Sequence, residues 1–369
     1  MFNDRARFRL HHPTGPVPAL VEAEAGTPRP DIARRAIAAF AHTAPVAAGP
    51  VWDALLAGPQ RDLAQWLACG EAEPLAQDLA ALGRSEAAQG FFGGAGQRRR
   101  VAGDPAFGQL LAAWTHDKTL SLAEAVGAVR LELPENGDWA QTIAIPPADL
   151  FAAIEAKLGL DLAPPAHVGA YLGIDAGGCV LQMRVVEAIY AAWRIRQLLT
   201  AHGLKSVCEI GAGAGLTAYY AALLGVTDYT IIDLPTMNAV QAYMLVGSSI
   251  GDRVALHGED RDATIRILPP EAFAALKPGT LDLLYNQDSL PEIAPDAARA
   301  YLADAGRIGA RLLLSINQEA HLPHADGHQA SVPELVAQVG GFRLLGRHRH
   351  WLRQGYAEEL YALGVRPSA

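Results

Sequence analysis

The sequence predicts an α/β protein: a mostly parallel seven-stranded sheet ending in a C-terminal antiparallel hairpin, plus an N-terminal mainly helical domain. Three observations carry this. From Ser206 onward, Val- and Ile-rich strand-like runs alternate with helical stretches, the pattern of parallel strands joined by covering helices. Three alternate glycines, Gly211, Gly213 and Gly215, turn the first of those strands into its helix. Before Pro164-Pro165, by contrast, the chain is rich in Ala, Leu and Pro and breaks into short helical pieces.

In chain order, helical periodicity marks Asp31 to Ala41, Gln60 to Cys69 and Glu73 to Ala81. Phe91-Phe92-Gly93-Gly94-Ala95-Gly96, followed by Arg98, Arg99 and Arg100, reads as a flexible turn with a solvated basic edge. A phosphate loop is disfavoured because no strand precedes it and no Lys-Ser/Thr follows. Two consecutive prolines enforce extended backbone, so the boundary is placed there, giving domains 1–165 and 166–369. A glycine-spaced segment, His167 to Gly178, leads into a long helix, Val180 to Thr200. Val185, Ile189, Ala192 and Leu199 share one face of it and Gly203 can end it.

Strand one is Ser206 to Ile210, with its helix Leu216 to Leu224 stopped at Gly225. Strand two is Tyr229 to Ile232, followed by a helix, Asn238 to Ser248, after Pro235. Either Arg253 to Leu256 or Thr264 to Leu268 can fill strand three. The second is preferred because Pro270-Glu271 then opens a short helix leading to strand four, Leu281 to Tyr285. Strand five is Arg311 to Ile316, and Phe342 to Trp351 with Tyr356 to Leu363 form the closing hairpin.

Composition narrows the function classes. Half of the 369 residues are hydrophobic and 19% are charged, a globular profile of two domains at about 100–200 residues each. The 30 Lys and Arg against 39 Asp and Glu leave a formal charge of −9, which argues against a chain-wide grip on nucleic acid or anionic membrane. Cys69, Cys179 and Cys208 stand far apart and form neither a disulfide framework nor a zinc pattern. With no signal-peptide core and no long apolar run, the expectation is a cytoplasmic enzyme acting on a small molecule.

The sharpest feature is Val207-Cys208-Glu209-Ile210-Gly211-Ala212-Gly213-Ala214-Gly215. Glycines let a ligand approach the peptide N–H groups at a helix start. A dinucleotide loop wants a third glycine three residues after the second, and that position is Leu216. Glu209, two residues before the first glycine, can meet an ammonium group. Asp233, with Leu234 beside it, closes strand two where a carboxylate accepts bonds from ribose hydroxyls. S-adenosylmethionine carries both an amino-acid end and a ribose. The arrangement resembles the first two motifs of class I S-adenosylmethionine-dependent methyltransferases, and that resemblance implies their Rossmann-like class I methyltransferase fold.

Downstream, the resemblance narrows to a bacterial family of sugar O-methyltransferases. It rests on Tyr229-Thr230-Ile231-Ile232-Asp233-Leu234-Pro235, Asn286-Gln287-Asp288-Ser289-Leu290-Pro291-Glu292-Ile293 and Leu314-Ser315-Ile316-Asn317-Gln318-Glu319-Ala320. Trp351, Arg353, Gly355-Tyr356 and Glu358-Glu359-Leu360-Tyr361 complete the pattern, which runs from about His167 to Tyr361. It implies methyl transfer to a hydroxyl of a sugar or sugar-containing metabolite. The N-terminal region would then serve as lid, substrate wall or homodimer surface.

An aliphatic hydroxyl is a weak acid, so a general base or a metal is expected near the carboxyl ends of strands four and five. Asp288 and His321 lead as bases, with Glu319 behind them. Glu209, Gly211, Gly213, Gly215, Asp233, Leu234, Asn286 and Gln287 are the expected cofactor contacts, Asn286 and Gln287 at its methionine end. His321, His324, Asp326 and His328 read as a polar loop ahead of a divalent-metal cluster, so no metal ligand is assigned. Arg347, His348, Arg349, His350 and Arg353 form a basic stretch open to two readings, an anion site or a solvated strand. The competing functions are an NAD(P)-dependent oxidoreductase or epimerase and a catalytically silent binding module.

Overall fold

A computed structural model of the chain describes residues 10–12, 17–44, 49–133, 135, 141–319, 323–324, 327–328 and 330–364. Its first part runs β1 (Leu20–Glu22), α1 (Pro30–Phe40), α2 (Pro50–Ala57), α3 (Arg61–Cys69), α4 (Ala72–Ala80), α5 (Gly94–Gly103), α6 (Pro105–Val126) and α7 (Pro147–Leu158). Next come β2 (Leu172–Asp175), β3 (Val180–Leu181), α8 (Met183–His202), β4 (Ser206–Ile210), α9 (Leu216–Leu223), β5 (Asp228–Ile232) and α10 (Pro235–Val246). Then follow β6 (Val254–Leu256), β7 (Ile265–Leu268), α11 (Pro270–Ala274), β8 (Leu283–Gln287), α12 (Pro295–Ile308) and β9 (Leu312–Gln318). The chain closes with β10 (Pro323–His324), β11 (Gly327–His328), α13 (Val332–Val339), β12 (Phe342–Arg349) and β13 (Tyr356–Leu363).

The main sheet has the order β12-β13-β9-β8-β4-β5-β7-β6. All its pairs are parallel except those of β13, which runs antiparallel to both β9 and β12. This is a Rossmann-like α/β sheet whose strand order reverses beside β4, the place where open α/β sheets bind ligands. It holds one strand more than the expected seven, because both stretches considered for strand three are strands. Ile265–Leu268 joins β5 directly, and Val254–Leu256 pairs outside it as a short buried edge.

Side chains alternate along the strands as period-two geometry requires. Val207, Ile231, Leu283, Tyr285 and Leu314 point into the core shared with α8, α9 and α10, while Cys208, Ile210, Ile232, Leu284 and Leu313 meet α12 and α13 on the other face. The first core also takes in Ile32, Ala33, Leu75, Leu79 and Leu120 from the N-terminal part. That part is fastened by backbone as well: β1 pairs with β2, and the Arg29 N–H donates to the Tyr243 hydroxyl at 2.9 Å.

Three differences from the sequence reading have physical causes. Helix α8 starts at Met183, because Val180–Leu181 pairs with β2 and the Gln182 side chain then caps the Arg184 N–H. Helix α6, the 22-residue span capped by Asp104, shows little periodicity because it is covered on most sides, burying His116, Asp117, Lys118 and Thr119. The arginine run after Phe91-Phe92 lies on α5. There Arg98 donates to the Gly83 and Ala170 carbonyls and Arg99 pairs with Glu86, so these two are structural ties and not a free basic edge.

Candidate active site

At the carboxyl ends of β4, β5 and β8 lies a cavity of about 500 Å³. Its floor is the glycine turn, where Gly211, Gly213 and Gly215 have φ of 75°, 55° and 79°, a region glycine enters without Cβ strain. Space demands glycine at the first position too. A Cβ on Gly211 would stand 2.2 Å from the Ser289 hydroxyl oxygen, and Ser289 itself donates to the Ile210 carbonyl at 2.7 Å.

Two carboxyls flank this turn. Glu209 is buried at the end of β4, accepts a 2.8 Å bond from the Tyr229 hydroxyl and lines the cavity. Burial, reinforced by the Asp233 charge and only partly offset by Tyr229, pushes its carboxyl up to about 8. Asp233 follows β5, accepts from the Leu234 N–H at 2.8 Å and from the Gln241 amide at 2.6 Å, and burial raises it to about 6. Leu234, Pro270, Ile293, Ala297 and Tyr301 add an apolar slot beside Asp233.

The opposite end of the cavity is charged. Arg184, from the first turn of α8, donates to Asp288 at 3.0 Å and to Glu187 at 2.8 Å. Arg353, from the turn between β12 and β13, donates to the same Asp288 oxygen and stacks its guanidinium 3.6 Å above the Tyr356 ring. Behind them Lys118 of α6 pairs with the buried Glu187. Burial opposes Glu187's charge, but Lys118, Arg184 and Arg353 outweigh it and hold that carboxyl well below the usual range. Asp288 behaves alike: against burial, Arg353 and Arg184 lower it. Its φ of 69° is left-handed, a strained setting for a non-glycine residue.

Glu292 lines the same cavity one turn further on, and it differs. Burial and the Asp288 charge push it up to about 7, against smaller opposing effects of Arg184, the Trp52 indole N–H and Arg353. Trp52 of α2, with Phe91 and Phe92 from the turn before α5, forms the cavity's roof. Phe91 stands so close that a Cβ on Gly213 would lie 3.4 Å from its own.

The structure thus gathers Glu209, Gly211, Gly213, Asp233, Leu234, Gln287 and Asp288 around one cavity. Gly215 sits just beneath as the residue before α9. Asn286 is elsewhere: fully buried, it donates to the Ile210 carbonyl at 2.8 Å and accepts from the Asn317 amide at 3.0 Å, bracing β4, β8 and β9 together. Glu319 lies outside the cavity, exposed and paired with Arg347. His321 and Asp326 fall outside the described residues. Among the described residues no group of three His, Cys, Asp or Glu could hold a metal ion.

The basic stretch divides. Arg347 is spent on Glu319 and Glu359, His350 is buried edge-on against Tyr190 with ring centroids 4.9 Å apart, and Arg353 alone of the five reaches the cavity. Sequence reasoning missed Trp52, Phe91, Arg184, Glu187 and Tyr356 as wall residues. The Phe91-Phe92 pair beside glycines was a usable signal for the roof. Arg184 and Glu187, three apart on a helix, gave none.

No family model matches the chain, and no curated protein matches it. Solved structures do. The CcbJ methyltransferase from Streptomyces caelestis aligns with a TM-score of 0.37 at 15% identity, over 48% of this chain and 90% of that one. The N-terminal domain of EvdMO1, solved with S-adenosylhomocysteine (SAH) and D-fucose, gives 0.33 at 16% identity, over 48% and 83%. The mitomycin 7-O-methyltransferase MmcR gives 0.34 at 14% identity, over 72% and 99%.

Proposed function

We propose that the protein is an S-adenosylmethionine-dependent O-methyltransferase acting on a hydroxyl of a sugar or sugar-containing metabolite. The observation that carries it is the convergence of Glu209 and Asp233, from the ends of two neighbouring parallel strands, on one cavity floored by a turn that only glycine fits. That pair of acceptors suits a ligand with an ammonium group at one end and a ribose in the middle. Bound there, S-adenosylmethionine would supply an electrophilic methyl group on a sulfonium, transferred by in-line displacement.

The chain's own residues do the rest. Glu209 faces the ammonium, and the Tyr229 hydroxyl fixes its carboxyl orientation. Asp233 takes the ribose hydroxyls, while Gln241, bonded both to Asp233 and to the Gly213 carbonyl at 3.1 Å, locks that carboxylate to the turn. Leu234, Ile293 and Tyr301 cover the base and exclude water. Gln287, Asp288, Gln318, Arg353 and Tyr356 offer a polar wall, and Trp52 and Phe91 add aromatic faces to the same cavity. A hydroxyl-rich ring with apolar faces suits such a wall, which supports a sugar acceptor. The N-terminal region acts as substrate wall through Trp52 and Phe91.

The test is calorimetric titration with SAH, with NAD as control, on the wild type and on Asp233→Ala. Binding of SAH that weakens at least tenfold in D233A, with no heat from NAD, is the expected result. NAD binding without SAH binding would return the site to the oxidoreductase reading.

A further inference from the structure

Two carboxyls of the loop after β8 reach the polar half of the cavity, and they are not equivalent. Asp288 gives one oxygen to two guanidiniums, those of Arg184 and Arg353. Removing either bond to accept a proton would leave cationic groups unneutralised in a partly buried site, so Asp288 is a brace and a poor proton acceptor. Glu292 has no ion pair within 4 Å among the described residues, yet it lines the same cavity and shares the neighbourhood of Asp288, Arg184, Arg353 and the Trp52 indole. A group poised to take up a proton at neutral pH must be able to change charge without breaking a salt bridge, and here only Glu292 of the two can.

We infer that Glu292 is the general base of the methyl transfer, drawing the proton from the acceptor hydroxyl while Asp288, clamped between Arg184 and Arg353, only positions the wall. The inference rests on the methyltransferase reading above. As the acceptor oxygen bonds to the methyl carbon, its O–H bond breaks and the proton passes to a Glu292 carboxylate oxygen. The methyl–sulfur electron pair leaves with the sulfur, which ends as a neutral thioether. Charge balances: a sulfonium and a carboxylate become a thioether and a carboxylic acid. Because burial and the Asp288 charge raise Glu292 to about 7 while Arg184, Trp52 and Arg353 oppose them, the group is a stronger base than an exposed glutamate, partly ionised at neutral pH and ionised above it.

The experiment compares full-length wild type, Glu292→Gln and Glu292→Asp. Each is titrated with SAH by calorimetry, then assayed for transfer from methyl-labelled S-adenosylmethionine to a mixture of methyl glycosides of D-glucose, D-galactose and L-rhamnose across pH 5.5–9. The expected result is SAH affinity within twofold of wild type in E292Q and a roughly hundredfold loss of transfer, in keeping with general-base contributions of about 10²–10⁴-fold. The wild-type rate should rise with pH through about 7, a limb E292Q lacks and E292D shifts. Transfer by E292Q within threefold of wild type overturns the proposal. So does a tenfold loss of SAH affinity in E292Q, which would make Glu292 a cofactor contact. A wild type that binds SAH but methylates none of the glycosides removes the sugar hydroxyl and its base together. A wild type that binds no SAH removes the cofactor reading itself.

Discussion

At one end of the cavity the floor and the two carboxyls beside it come from a single stretch of chain: Glu209, the glycine turn, Asp233 and Leu234 belong to β4, β5 and the loops at their ends. At the other end Trp52, Arg184, Asp288 and Arg353 arrive from four separate parts of the sequence. The first is held by backbone, through strand pairing and glycine geometry, and the second by ion pairs and stacking between side chains. Backbone-built sites are read from local pattern and tolerate little change in shape. Side-chain-built sites need the tertiary fold to exist and can be altered one contact at a time.

The sharpest way to break this contrast is Gly211→Ala. Its Cβ would strike the Ser289 hydroxyl at 2.2 Å with φ at 75°, so overpacking and left-handed strain of about 1–3 kcal/mol each fall on the floor. SAH binding should fall by at least two orders of magnitude in calorimetry. Near-wild-type binding by G211A would show that the turn is not a cofactor floor. Next in size is Arg353→Ala. It strips one guanidinium from Asp288 and exposes the Tyr356 face, and breaking such a mostly buried pair costs about 3 kcal/mol. Denaturant unfolding should show that loss, while SAH affinity stays within about threefold.

A gentler probe is pH. In the proposed role, facing an ammonium, Glu209 must be ionised, so SAH affinity should climb severalfold between pH 6.5 and 8 as its raised carboxyl, near 8, gives up its proton. Glu209→Gln should flatten that climb. The sign for folding is opposite. The folded ligand-free protein holds a proton on Glu209 that the unfolded chain releases near its ordinary 4.5, so this group's contribution to stability declines as pH rises between about 4.5 and 8. Thermal melts with and without SAH should diverge toward alkaline pH. The smallest effect belongs to Phe91→Leu, which trims the roof over Gly213 and should shift SAH affinity only a few-fold.

Most of the sheet could be read in the sequence because β4, β5, β8 and β9 are short, largely apolar runs buried on both faces of the sheet, while β12 and β13 lie between glycine turns. Glu209 and Asp233 could be read for the same reason, since a strand end fixes where a carboxylate goes. Helix α6 hid itself: a helix covered on most sides, with Asp117 and Lys118 interior, has no apolar stripe to find. The difference between Asp288 and Glu292 was equally hidden. It depends on Arg184 and Arg353, which lie far from both in the chain and meet Asp288 only once α8 and the β12–β13 hairpin are packed.

The shared core has a bearing on how such a protein can change over time. Leu20–Glu22 is stitched to Leu172–Asp175, and Ile32 and Ala33 are buried in the same core as Tyr243 and Leu245 of α10. The aromatic roof therefore cannot be shuffled onto a different floor as a cassette. A change in what the cavity admits therefore falls to point substitution at positions such as Trp52 and Phe91, with roof and floor moving as one piece.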